Sequence, residues 1–210
     1  MKTIVSFILV SFFGIISIIG QSSYEKGMDK AFELWEADQY DQASNLFERI
    51  AKAEKDNWLP YFYVAEVNIA RSWSEKNEQK LKNQLDKAQE YINFAKTFSE
   101  NNAELLKLQA ELYTVWISFD GMTYGMKYSG KVSELYQKAL QLAPKNPRII
   151  LAKAQWDMGS AKYFGQPVEP YCKDIERAIE LFATFKPQGK YEPTSGEERA
   201  KEALKQCKAE

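Results

Sequence analysis

Tyr136-Gln-Lys-Ala139-Leu-Gln-Leu-Ala-Pro144-Lys-Asn-Pro147 reads as the end of one helix, a proline-marked turn and the start of another. Val132, Leu135, Tyr136, Ala139, Leu140 and Leu142 recur at helical spacing. Pro144 cannot continue that helix, and Pro147 suits the first turn of the next, where a missing N–H costs nothing. One such stretch is a local pattern; an architecture requires that it recur.

It does recur. Ala43, Phe47, Ile50 and Ala65 stand at offsets of zero, four, seven and twenty-two. The same offsets give Ala88, Ile92, Ala95 and Ala110, then Val132, Tyr136, Ala139 and Ala154, then Ala178, Phe182, Phe185 and Ala200. Every position is apolar, where a 45% hydrophobic composition predicts fewer than half. The last offset is alanine in all copies, as expected where neighbouring helices come closest. Between the copies lie further helical patterns, through Tyr24, Met28, Ala31 and Leu34 at the start and Leu105, Leu108, Leu112 and Trp116 in the middle.

The phrase Tyr136-x-x-Ala139-Leu-x-Leu-x-Pro144-x-Asn-Pro147, with Ala43, Ala88 and Ala154, resembles the tetratricopeptide repeat (TPR) family, and in particular exported bacterial proteins of that kind. The resemblance implies an all-α fold: a right-handed α-solenoid of about four TPR-like helix pairs plus a C-terminal capping helix, spanning residues 23–210. The copies start at 43, 88, 132 and 178, a longer period than the 34 residues of the family and one that HEAT-type helical repeats share. The extra residues fall between the two helices of a pair, on one edge of the solenoid. Residues 73–80 are polar and read as helix extension. Residues 119–130 and 159–170 hold glycines among aromatic residues and read as loops.

Residues 4–19 form an uncharged apolar run behind Lys2, with Gly20, Ser22 and Ser23 after it. This reads as a signal peptide over residues 1–22, placing the mature chain in the periplasm or outside the cell. The alternative is an anchor formed by residues 4–19; a membrane partner is expected only in that case. With Cys172 before one helix and Cys207 at the end of the following one, a disulfide between them is expected if the helices are antiparallel neighbours.

The sequence has no histidine, which removes the commonest general base and zinc ligand. It has no phosphate-cradling motif and no metal-ligand spacing, so neither an enzyme nor a metal or cofactor site is expected. With 28 basic and 29 acidic residues it lacks the footprint of a nucleic-acid binder. The candidate binding residues are instead the aromatic and thioether side chains of the insertions: Phe119, Met122, Tyr124, Met126, Tyr128, Tyr163 and Phe164. These loops either line a groove or seal the solenoid edge. A second candidate is the concave face that the resemblance assigns to the first helices, with Phe62, Glu66, Ile69, Lys107, Glu111, Thr114, Leu151, Gln155 and Met158 turned outward. The expected role is a scaffold for a protein or peptide partner; the alternative is a carrier of a small apolar or glycan ligand in an aromatic-lined cleft.

Overall fold

The computed structural model describes residues 23–209; the expected signal peptide, or anchor, lies outside them. Among the described residues the chain forms nine helices and no strand. They are α1 (23–36), α2 (Tyr40–Ala53), α3 (Trp58–Ser72), α4 (Glu78–Phe98), α5 (Ala103–Phe119), α6 (Gly121–Leu142), α7 (Pro147–Tyr163), α8 (Glu169–Phe182) and α9 (Glu197–Ala209). Asparagine starts four of them. The side-chain oxygens of Asn57, Asn77, Asn102 and Asn146 accept from the backbone N–H groups of Leu59, Lys80, Glu104 and Arg148 at 3.0, 2.9, 2.8 and 3.0 Å. Each such cap contributes about 1 kcal/mol. Pro147 occupies the first turn of α7, as its sequence context predicts.

The helices pack in consecutive antiparallel pairs, α1–α2 to α7–α8, with α9 closing the end against α8: a helical solenoid. The repeat positions form its core. All are buried except Phe185, which is half-buried, because α8 ends at Phe182 and the chain has left the helix by the third offset. Cys172 and Cys207 form the expected disulfide, joining the first turn of α8 to the last turn of α9 with Cα atoms 5.8 Å apart. No helix among the described residues is long and apolar enough to cross a membrane.

The extra residues of each repeat lengthen helices more than they make loops. Residues 119–130, expected as a loop, are the end of α5, a one-residue turn and the first half of α6. Asp120 makes that turn: its carboxylate accepts from the N–H groups of Met122 and Thr123, both at 3.1 Å. The Thr123 hydroxyl, and after it the two backbone N–H groups, hold the carboxyl below its usual range. Gly121, Gly125 and Gly130 each cost the helix about 1 kcal/mol. Ring packing across α5 and α6 offsets this, at about 0.5–1.5 kcal/mol per aromatic pair. Residues 159–170 likewise divide into the last turn of α7, a short turn at 164–168 and the start of α8. Residues 73–77 are a turn, and the polar residues from Glu78 extend α4 to 21 residues, against 14 for α2.

The face of the first helices is not open. Between α8 and α9, residues 183–196 run as an irregular strap along α1, α3 and α7. Tyr191 is its anchor. Its ring packs against Tyr24 and Phe32 of α1, and its hydroxyl lies 3.0 Å from the Glu25 carbonyl and 2.9 Å from the Asp29 carboxylate. Tyr63 of α3 donates to the Tyr191 carbonyl at 2.7 Å. Further along, Arg148, 2% exposed, donates to Glu66 of α3 (2.7 Å), Glu104 of α5 (3.1 Å) and the Ser195 carbonyl of the strap (2.8 Å). Burial opposes the charge of Arg148, yet the carboxylates of Glu104, Glu66 and Glu111 hold the guanidinium above its usual range. Gly196 ends the strap at φ +132°, where a Cβ would stand 3.0 Å from the Phe182 ring. Of the side chains expected to face outward here, Phe62, Ile69, Lys107, Leu151 and Met158 are buried, and Glu66, Glu111, Thr114 and Gln155 are half-buried.

Candidate functional site

Straightening residues 121–130 into a helix gives the candidate residues a defined order. Tyr124 and Tyr128 are one turn apart on α6, their rings within 8° of parallel and 5.9 Å between centroids. On the facing helix, Tyr113 stacks on Tyr128 at 4.5 Å, and Trp116 lies against Tyr124 at 4.7 Å. The four rings form a wall along the α5–α6 seam, each half-buried. Burial, and then the neighbouring Tyr128, push the Tyr113 hydroxyl above its usual range.

Met122 and Met126, also one turn apart, stand 88% and 96% exposed on the same half of α6. Two residues from Tyr124 and Tyr128 along the helix, these thioethers project from a different side of α6 and are not part of the wall. The same half-helix is uncrowded: a Cβ built at Gly121, Gly125 or Gly130 meets nothing within 4 Å. Phe119 lies apart from the wall. It packs on the core and, with Trp73, Ser118 and Val115, lines a cleft of about 270 Å³ at the α3–α4 turn. Tyr163 and Phe164, 75% and 70% exposed, end α7 and make an edge-to-face pair with each other at 5.1 Å. α7 is tied to α6 lower down, where Trp156 Nε1 donates to Ser133 at 3.1 Å.

Sequence reading placed Tyr113 and Trp116 in the core of a helix and missed them as site residues. Their i, i+3 spacing opposite the i, i+4 pair of Tyr124 and Tyr128 is the signal, visible only once both segments are helical. Two lysines were also missed. Lys127 Nζ lies 4.9 Å from the Tyr128 ring centre and 6.0 Å from that of Tyr124. Lys131 Nζ lies 5.8 Å from Tyr128 and 6.0 Å from Tyr113. Among the described residues no group of three or more histidine, cysteine or carboxylate side chains could hold a metal ion.

No protein-family model and no curated protein matches the sequence. Among solved structures, the fold is similar to the HusA haemophore from Porphyromonas gingivalis, with a TM-score of 0.78 at 21% identity over 89% of this chain and 93% of that one. A thermophilic TPR protein from Thermus thermophilus aligns with a TM-score of 0.42 at 15% identity, over 77% of this chain and 89% of that one.

Proposed function

We propose that the protein is an exported, non-catalytic carrier of a planar apolar small molecule, held against the α5–α6 wall. The observation that carries this reading is the four-ring wall, half-exposed along the α5–α6 seam. Flat rings offer dispersion and stacking area without needing a reactive group. The expected scaffold for a protein or peptide partner ranks second because the strap already occupies the face on which such repeats would be expected to bind. Likeness in fold to a haemophore makes haem the first ligand to try. With no histidine in the chain, recognition would rest on stacking and on apolar cover.

Titration of haem into the purified protein tests this, followed by tryptophan quenching and by the absorbance of the porphyrin. Saturation at one ligand per chain is expected, with at least tenfold weaker binding by a Tyr124→Ala/Tyr128→Ala variant of unchanged helicity. Linear, non-saturating uptake would end the carrier reading, and full affinity in the variant would move the site elsewhere.

The scaffold reading retains one observation of its own. Phe94 and Phe98 of α4 are exposed and join Tyr61 and Tyr91 in a second aromatic cluster, at the far side of the pair α3–α4. A protein partner captured by the wild type and lost from a Phe94→Ala/Phe98→Ala variant would support it.

A further inference from the structure

We propose that the α5–α6 wall selects planar ligands that carry carboxylates, and that Lys127 and Lys131 are the pair of cations that receives them. The inference rests on the carrier reading and names the ligand's charge. Thirteen residues, from Gly121 to Ser133, contain these two lysines and no acidic side chain. The lysines stand at i and i+4, where like charges oppose the helix instead of stabilising it. Lower on the same helix the ordinary arrangement returns: Lys138 pairs with Glu134, one turn away, at 3.2 Å. Among the described residues neither Lys127 nor Lys131 has a carboxylate partner. Both ammonium groups lie instead 4.9 to 6.0 Å from the centres of the wall's tyrosine rings, exposed to water and one helical turn apart. A flat molecule lying on the wall therefore meets cations at the edge of the rings. Two acid groups on one side of such a molecule could engage one lysine each. The Tyr128 hydroxyl adds to this by holding the Lys127 ammonium above its usual range, keeping it charged.

The test compares protoporphyrin IX, a dicarboxylate, with its dimethyl ester in the same mixed aqueous solvent. Both are flat and free of metal, and they differ only at the two acid groups, which are free in one and methylated in the other. Two exposed ion pairs predict roughly tenfold tighter binding of the acid at low salt. That preference should collapse in molar salt, where charges are screened within about 3 Å. Lys127→Gln/Lys131→Gln should close the gap between acid and ester, keeping the ester's affinity and the melting temperature of the wild type. Equal binding of acid and ester by the wild type would overturn the inference and leave the carrier reading standing. So would a gap that survives in the variant. Binding of neither probe would overturn both.

Discussion

At Arg148 every side-chain nitrogen has found an acceptor, on α3, α5 and the strap. At Lys127 and Lys131, on the edge of the α5–α6 pair, neither ammonium has a carboxylate among the described residues. Both regions combine aromatic rings with cations, and they have opposite states of completion. On the face of the first helices, Arg148 occupies Glu66, Glu104 and Ser195, and Tyr63, Glu25 and Asp29 occupy Tyr191, which leaves little for a visitor. On the α5–α6 edge, rings, thioethers and ammonium groups are left partly bare. A surface whose polar groups are already satisfied gains little by binding, because a newcomer must first break what is there. On the proposed carrier reading, recognition belongs to the edge and stability to the inner face.

The largest effect should come from breaking the inner face. Arg148→Met would leave Glu66 and Glu104 without their counter-ion in a buried setting, a loss of about 3–5 kcal/mol by urea denaturation. Porphyrin binding well below the variant's melting temperature should be unchanged; a loss of affinity without a loss of stability would erase the division between the regions. Next, Cys172→Ser with Cys207→Ser removes a cross-link spanning 35 residues of sequence and should cost about 2–4 kcal/mol in the same assay, again sparing the wall.

A smaller effect belongs to neither region and serves as a control. Hydrogen bonds from Lys52 and then Lys87, each at 2.9 Å, hold the Glu48 carboxyl at about 2. A depressed carboxyl stabilises the fold above its ordinary value near 4.5, and that contribution is lost as pH falls towards about 2. Glu48→Gln should therefore flatten the acid limb of the stability profile in that window and leave its shape at neutral pH unchanged. The smallest effect on stability is expected at the edge: Met122→Leu/Met126→Leu should shift it by no more than about 0.5 kcal/mol. Peroxide should oxidise Met122 and Met126 before the buried Met28 and Met158, as peptide mass mapping would show; equal rates would mean that the half-helix is covered.

The repeat was legible because its signal is local. Ala43, Phe47 and Ile50 lie within about two helical turns, and each copy repeats the requirement for a small residue at Ala65, Ala110, Ala154 and Ala200. The disulfide followed from the same antiparallel logic. Residues 119–130 were misread for a physical reason: three glycines lower helix propensity, while the compensating contacts of Tyr124 and Tyr128 lie on another helix. The docking of the strap was illegible for a related reason. Lys186-Pro-Gln-Gly-Lys-Tyr-Glu-Pro has no periodicity, and the partners of Tyr191 on α1 stand 162 and 166 residues earlier in the chain. Of the candidate residues, sequence found the α6 side of the wall and missed the α5 side, since Tyr113 and Trp116 also satisfy the spacing of an ordinary core helix.

The anchoring of Tyr191 against Tyr24 and Phe32 has a consequence for the order in which the molecule is built. Stacked repeats can nucleate at any unit and propagate to its neighbours, so a helix pair ordinarily needs only the adjacent pair to be finished. Here α1 precedes the ring that covers it by 162 residues, measured from Asp29 to Tyr191. That pairing has the longest loop to close and so the largest entropy to overcome, which places it late in folding. α1, the first of the described helices, is thus completed by the strap between α8 and α9. Amide exchange in α1 should slow only when the strap has docked.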